Sequence, residues 1–324
     1  MKSEDTVTLK KKISLGSLYD RFGILLILII MCVVSAFLSP VFMTPNNLIN
    51  IVRQVSVIVM IAFGETMLII SGQIDLSPGS VVAFVGVIAA DVMAKTGNVL
   101  LAAVAGIIVG IATGAINGYM ITKFKLPPFI MTLAMMMIAR SAAFIYTDAV
   151  PIAGLGDFAQ IGQGNVGFVP IPVIIMLVLM FIAWFTLRHT RLGRYTYAIG
   201  GNEDAAKASG INVNLTKLKL YLMEGFMVGV AGIVLVSRVN SGQPSIGEGY
   251  EFDAITGAIV GGTSFTGGIG TIPGTLIGAL IVGVLNNILN LMNVSSYYQD
   301  LCRGLIIAVA VTIDIQTRLK SRNK

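Results

Sequence analysis

The residues that could do chemistry in this sequence are few and scattered. One histidine, His189, and two cysteines, Cys32 and Cys302, are too few for a usual zinc site. No G-x-x-x-x-G-K-S/T loop is present to bind phosphates, and no G-x-S-x-G nucleophile elbow. The run G-I-G-T-I-P-G has the wrong final spacing for a dinucleotide fingerprint. The sequence therefore predicts no catalytic centre, cofactor or metal on this chain.

Three ionisable residues lie inside apolar runs: Glu65, Arg140 and Glu224. An ionisable group at membrane depth marks a functional site by default, and an arginine there needs a partner or must reach the membrane surface. An acid such as Glu65 either faces a pathway or is neutralised by protonation, and the sequence leaves both interpretations open.

Composition defines the class of protein that must position these residues. Of 324 residues, 55% are hydrophobic and only 12% are charged, and the mean hydropathy is +0.86. These values are typical of a multi-spanning membrane protein. The net charge of +6 comes from short basic clusters between apolar runs. This distribution indicates that the charges orient the protein in the membrane and do not bind nucleic acid. Cys32 and Cys302 lie far apart in apolar runs, so we expect no disulfide and small core residues instead.

The apolar runs predict an all-α polytopic membrane protein with about ten transmembrane helices and both termini in the cytoplasm. The predicted spans are 22–38, 48–70, 78–94, 99–122, 129–147, 173–187, 220–236, 254–262, 275–291 and 301–315. Short or broken helices are expected near 71–80 and 253–274, where glycine, proline and polar residues interrupt the pattern. Residues 1–21 form a cytoplasmic segment, 22–315 one transmembrane domain, and 316–324 a cytoplasmic tail.

Loop charges orient these spans. Residues 148–169 contain no basic residue, which places them outside, and the polar, acidic segment 240–253 also looks external. The basic K-F-K turn and the segment 188–219 fall inside by both charge and span counting. The segment 254–262 is short for a span, but the basic tail lies inside only if this segment crosses.

Four glycines recur at every fourth position of the fourth predicted span: Gly106, Gly110, Gly114 and Gly118. This spacing puts them on one helix face, where they let a neighbouring backbone approach closely.

The segment 188–219 is the longest charged stretch of the chain and contains a predicted helix. Asn202 provides a cap, E-D-A-A-K-A-S supplies acids and helix formers, and Gly210 supplies the stop. This predicts a helix of about two turns that is slim enough to enter a groove of another protein. A solvated connector is the alternative.

Four runs carry a family resemblance. In chain order they are S-G-Q-I-D-L-S-P-G-S, L-G-R-Y-T-Y-A-I-G-G-N-E-D-A-A-K-A-S-G, G-G-T-S-F-T-G-G-I-G-T-I-P-G-T and N-V-S-S-Y-Y-Q. They resemble blocks of the permease subunits of bacterial ATP-binding-cassette sugar importers, most closely the ribose branch, over about 38–314. Gln73 and Pro78 depart from the glycine and valine of that pattern.

The resemblance implies a permease of the bacterial inner membrane that imports a monosaccharide, ribose or a sugar such as galactose, allose, inositol or an autoinducer-2-like molecule. It implies a second permease copy, with isologous glycine faces, a cytoplasmic ATPase that binds ATP and Mg, and an extracytoplasmic sugar-binding protein. The implied coupling residues are Gly201, Asn202, Glu203, Ala206 and Gly210. Candidates for the translocation pathway are Asp75, Asn117, Asp253, Thr263 and Ser264.

Two other classes of function remain open from the sequence. A channel or ion-coupled carrier would use Glu65, Arg140 and Glu224 as a charge relay and would transport without an ATPase. Half of an exporter would have the same loop and need no binding protein. The two acid-bearing breaks, Q-I-D-L-S-P-G-S and Y-E-F-D-A-I, suggest a weak internal repeat.

Overall fold

The structure is a computed structural model that describes residues 15–322, with side chains described from 23 to 316 apart from residue 313. Residues 1–14 of the predicted cytoplasmic segment and 323–324 of the predicted tail lie outside these limits. The first helix begins at Leu15, seven residues before the predicted span, so the segment 1–21 is partly helical.

The described chain is a bundle of helices. The helices are α1 (Leu15–Leu38), α2 (Pro45–Ile70), α3 (Pro78–Thr96), α4 (Val99–Lys123), α5 (Pro128–Thr147), α6 (Gln160–Gln163), α7 (Ile171–His189), α8 (Arg191–Gly201), α9 (Glu203–Ala208), α10 (Val213–Val239), α11 (Tyr250–Val260), α12 (Ile272–Leu291) and α13 (Ser296–Arg322). Four two-residue strands accompany them: β1 (Ile152–Ala153), β2 (Asn165–Val166), β3 (Val169–Pro170) and β4 (Ser241–Gly242).

Seven helices of the described residues are long and apolar enough to cross a membrane, which confirms the all-α polytopic class. They are α2, α3, α4, α5, α7, α10 and α12. Prolines mark the starts of α2, α3 and α5, where a missing N–H costs nothing. Cys32 and Cys302 are free thiols and both are half-buried; Cys32 packs against the hydrophobic core.

Helices α2 and α10 form the centre of the bundle, and α4 packs closely against α10. The glycine face of α4 makes this contact: a Cβ atom on Gly110 would lie 2.7 Å from the Cα atom of Gly229, and one on Gly114 would lie 3.0 Å from that of Gly225. Two glycine-bearing helices therefore touch backbone to backbone within one chain. The expectation that these faces join two copies is wrong, because α10 of the same chain covers them.

Two interruptions lie inside the bundle. Residues 71–77 precede α3 and residues 240–249 precede α11, and the N-terminal ends of these two helices meet. The backbones touch at Gly79 and Gly247, where a side chain on Gly79 would overlap the carbonyl oxygen of Gly247. Helix α11 begins at Tyr250 and buries Glu251 and Asp253. The end of the segment predicted to be external, 240–253, thus packs among other helices, and its acids lie at a helix N-terminus, where the dipole favours negative charge.

The loops fall at two ends of the bundle. At one end, β1 pairs with β4, which joins the loop after α5 to the loop after α10. Arg53 of α2 donates to the carbonyl oxygen of Gln163 and to Asn165 at this same end. At the opposite end, α8 lies against residues 261–271, which we call the α11–α12 loop, and against the last turn of α2.

Candidate functional site

The segment predicted as a loop at 188–219 is mostly helical. Helix α7 continues to His189, α8 and α9 follow in succession, and α10 begins at Val213. Helix α8 is absent from the prediction, because its glycines and charges suggested a turn. It is amphipathic: Gly193, Thr196 and Ile199 are buried, whereas its arginines are exposed. We call α8 and α9 together the α8–α9 unit.

Helix α9 has the predicted caps and spans six residues. The side chain of Asn202 accepts a hydrogen bond from the backbone N–H of Ala205 at 2.9 Å. Gly210 has a φ of 82°, its N–H donates to Lys207 O, and the N–H of Ile211 donates to Ala206 O. This is a Schellman ending, which glycine permits because it lacks a Cβ atom.

Glu203 stabilises the α8–α9 unit through two lysines. Its carboxylate lies 2.7 Å from the ammonium of Lys207 and 2.8 Å from that of Lys217, so it links α9 to the start of α10. The hydrogen bond from Lys207, with that from Lys217, holds the pKa of Glu203 below its usual value. Ala206 is buried against Ile199 and Val213 of the same chain. The surface of α9 available to a partner is therefore its opposite face, with Asp204, Ala205 and Ala208.

The α8–α9 unit is attached to the transmembrane bundle at the end of α8. The hydroxyl of Tyr197 donates to the carbonyl oxygen of Gly270 at 2.7 Å. A Cβ atom on Gly200 would overlap the carbonyl oxygen of Ile70 and lie 2.5 Å from the nitrogen of Gly268. Backbone thus touches backbone between α8, the end of α2 and the α11–α12 loop. The contact at Gly200 contains no side chain, so it leaves no room for one there.

Asp75 and Asn117, two pathway candidates, lie together in a buried polar cluster. Asp75 accepts hydrogen bonds from the N–H and hydroxyl of Ser77, at 2.7 and 2.6 Å, and from the amide of Asn117 at 3.2 Å. The space beside Asp75 is about 10 Å³, close to the volume of one water molecule. In this conformation Asp75 holds the break before α3 and no sugar fits beside it.

Glu65 and Glu224 complete the same cluster, and both are fully buried. Glu65 accepts a hydrogen bond from the N–H of Asp75 at 3.2 Å. Arg140 contacts neither acid; its guanidinium donates to the carbonyl oxygens of Pro244 and Ile246 at 2.7 and 2.9 Å. The predicted relay of Glu65, Arg140 and Glu224 is therefore not assembled, because backbone carbonyls and not carboxylates satisfy the arginine.

The other three pathway candidates lie elsewhere. Asp253 forms an ion pair with Arg303 of α13, with 2.6 Å between the guanidinium Nε and a carboxylate oxygen. Thr263 and Ser264 are buried in the α11–α12 loop, where the hydroxyl of Ser264 donates to Asp314 at 2.7 Å. The five candidates thus occupy three separate places. Among the described residues, no cluster of three His, Cys, Asp or Glu residues could hold a metal ion.

Sequence reasoning missed several residues that these contacts bring into the site: Tyr197, Gly200, Lys217, Glu251 and Arg303. The small or apolar residues at positions 193, 196 and 199 of α8 follow a helical period, and Tyr197 and Gly200 lie next to this face, which was the available signal for these two. Arg303 gave none, because its partner Asp253 is 50 residues away in the chain.

Long apolar helices, two interrupted helical segments that meet inside the bundle, and a charged helical unit at one end define a membrane transport protein. Residues 47–311 match the family described as "Branched-chain amino acid transport system / permease component". The chain belongs to this permease family, and it is a multi-pass inner-membrane protein.

Similarity to individual proteins extends over nearly the whole chain. The chain is 44% identical to the ribose import permease protein of Bacillus subtilis (strain 168), over 97% of this chain and 98% of that protein. It is 44% identical to the ribose import permease protein of Escherichia coli (strain K12), over 95% and 98% of the two chains. It is 40% identical to the D-allose transport system permease protein of E. coli K12, over 94% of each.

Proposed function

We propose that this chain is the transmembrane subunit of an ATP-binding-cassette importer and carries a monosaccharide, ribose, across the inner membrane. The observation that carries the proposal is the α8–α9 unit: one face contacts the bundle through Gly200 and Tyr197, and the face of Asp204, Ala205 and Ala208 is exposed. Such a unit can receive work from a second protein. Full-length similarity to two ribose permeases supports the substrate, and allose is the first alternative.

In this proposal the chain crosses the membrane ten times. The seven long apolar helices are joined by α1, whose apolar part is Gly23–Leu38, by α13, and by α11 together with the non-helical residues 240–249. With the amino terminus inside, α8 and α9 lie in the cytoplasm and the loop 148–169, which has no basic residue, lies outside. The carboxyl terminus then also lies inside. The boundaries 1–21, 22–315 and 316–324 stay predictions.

The partners follow from the absence of a phosphate-binding motif on this chain. A cytoplasmic ATPase binds ATP and Mg and docks on α9. Ala206 packs α9 against the rest of the chain, and the helix is bounded and stabilised by Gly201, Asn202, Glu203 and Gly210. A second copy of the permease pairs with this chain within the lipid bilayer, and an extracytoplasmic binding protein delivers the sugar. ATP binding moves both α8–α9 units, and the α11–α12 loops pass the motion to α11 and α12.

Reconstitution tests the proposal. Proteoliposomes that contain this chain, the ATPase and a ribose-loaded binding protein should accumulate D-ribose with ATP, whereas vesicles with this chain alone should not, even under a proton or sodium gradient. Gradient-driven uptake by the chain alone would support the carrier instead. Export of D-ribose that needs the ATPase but no binding protein would support the exporter.

A further inference from the structure

A large cavity lies between α5, α11 and α13, beside the meeting point of the N-terminal ends of α3 and α11. Its volume is about 1110 Å³, at the upper limit of the roughly 300–1000 Å³ of small-molecule pockets. Ser80 of α3 and Gly249 before α11 are part of its wall. A cleft of this size, open on one side, can hold a small solute together with water.

The wall of this cavity has a polar part and an apolar part. Arg140, Glu248, Glu251 and Arg303 line the polar part, and Met136, Met137, Ile307 and Ala308 line the apolar part. Met137 and Ile307 lie about one turn closer than Arg140 and Arg303 to the end of the bundle that carries the α8–α9 unit, whereas Phe144 of α5 lies one turn further from that end. Beyond the arginines, the wall therefore becomes apolar towards the proposed cytoplasmic side.

The two guanidinium groups are held in place by the protein. Arg140 donates to the carbonyl oxygens of Pro244 and Ile246, and Arg303 pairs with Asp253 at 2.6 Å and with Asp300 at 2.8 Å. Fixed donors of this kind need no reordering when a ligand arrives. The N–H groups of Arg140 that these carbonyls leave over can donate to a ligand.

Free acceptors complete the wall. Glu248 is exposed to the cavity, and neither it nor Ser245 makes a hydrogen bond with any other described residue. The carboxylate of Glu251 is buried, and its Oε2 atom has no hydrogen-bond partner among the described residues. Three acids of the wall, Glu248, Glu251 and Asp300, and Asp253 next to it outnumber the two arginines, so the wall does not attract anions. Fixed guanidinium donors beside free carboxylate acceptors suit a molecule that is rich in hydroxyl groups, since each hydroxyl both donates and accepts.

We propose that this cavity is where the monosaccharide binds inside the membrane, with Arg140, Glu248 and Glu251 hydrogen-bonded to its hydroxyl groups. This inference rests on the proposed function and adds to it the site and the groups that contact the substrate. The cavity is larger than one sugar, so binding is weak and the sugar can leave. The sequence-predicted pathway residues Asp75 and Asn117 lie outside this wall, while Asp253 contributes indirectly by holding Arg303.

Gly304 allows a test that fills the cavity without disturbing the fold. It lines the cavity from α13, and a Cβ atom added there would meet no atom within 4 Å. Leucine also favours a helix more than glycine does. We expect Gly304→Leu to lower D-ribose import by about tenfold or more, and Gly304→Ala to have an intermediate effect. Thr312→Leu adds bulk to an exposed position of the same helix outside the cavity and should change import by less than about twofold.

A chemical probe separates occupancy from transport. Gly304→Cys, in a chain in which Cys32 and Cys302 are replaced by serine, should react with a thiol reagent. D-ribose should slow this reaction in the assembled complex, and L-leucine at the same concentration should not. Import by Gly304→Leu at the wild-type rate, or equal protection by D-ribose and L-leucine, would overturn the cavity assignment while the importer function stands. Failure of the unmodified complex to import D-ribose would instead refute the proposed function.

Discussion

Gly200 is the position at which the smallest change should disturb the link between the α8–α9 unit and the bundle. In Gly200→Ala, the new methyl group overlaps the carbonyl oxygen of Ile70 and lies 2.5 Å from the nitrogen of Gly268. Because such atoms normally keep about 3.5 Å apart, α8 has to move away from Ile70 by roughly 1.5–2 Å. The same two residues share a hydrogen bond of 2.8 Å from Gly268 N to Ile70 O, which the methyl group also disturbs.

The expected cost follows from these contacts. Overpacking against rigid backbone costs about 1–3 kcal/mol, and the better helix propensity of alanine offsets at most about 1 kcal/mol of it. We therefore expect Gly200→Ala to lower the free energy of unfolding by about 1–2 kcal/mol. In the assembled transporter, it should also lower the number of sugar molecules imported per ATP hydrolysed, because a displaced α8 transmits less of its motion.

The adjacent glycine provides the control. A Cβ atom on Gly201 meets nothing within 4 Å, so Gly201→Ala should change the stability of the chain by no more than about 0.5 kcal/mol. Thermal unfolding of the purified chains in detergent compares the two variants, and paired sugar-uptake and ATP-hydrolysis measurements on Gly200→Ala give the coupling ratio. Equal unfolding midpoints for the two variants, together with a wild-type ratio for Gly200→Ala, would refute the assignment of this contact.

Three further predictions concern the same framework. The depressed pKa of Glu203 means that its ion pairs stabilise the fold at neutral pH and that this contribution is lost as the pH falls below about 4. Glu203→Gln should therefore lower the free energy of unfolding by up to about 1 kcal/mol at pH 7 and leave it unchanged at pH 3. Asp204→Asn, the control, should leave it unchanged at both pH values. Tyr197→Phe should cost about 0.5–1.5 kcal/mol in unfolding experiments and reduce sugar-stimulated ATP hydrolysis, because Gly270 O loses its donor. Gly110→Ala, which meets backbone, should destabilise the chain more than Gly106→Ala, which meets the tip of a side chain, in the same unfolding assay.

The sequence predicted those parts of the fold that depend on local patterns. The apolar runs located α2, α3, α4, α5, α7 and α12 to within about three residues, since 20 or so apolar residues in a row have few alternatives. Helices α1 and α10 begin seven residues before the predicted spans, because their first turns are polar. The cap at Asn202 and the stop at Gly210 were placed correctly, because both rest on backbone chemistry within four residues. The glycines of α4 showed close packing, but their spacing could not show that the partner is α10 of the same chain.

Contacts between distant segments were beyond this reasoning. Arg140 is satisfied by carbonyl oxygens more than a hundred positions away, so no spacing rule relates it to them. The acids after Gly249 looked external because charged side chains usually contact water. In the structure they are buried in the helix bundle, where Arg303 pairs with Asp253 and the N-terminus of α11 stabilises negative charge. The five pathway candidates lie in three separate places for the same reason: each was chosen by residue type, whereas the cavity wall is assembled from four separate parts of the chain.

The contact between Gly79 and Gly247 also has a consequence for biosynthesis. About half of the chain separates the two glycines, and at about 5–20 residues per second roughly ten to thirty seconds pass between their synthesis. During this interval the polar break before α3 lacks its final neighbour. The early helices are therefore only partly packed in the bilayer until residue 247 has been synthesised. A ribosomal pause or a truncation before this residue should expose them to membrane proteases.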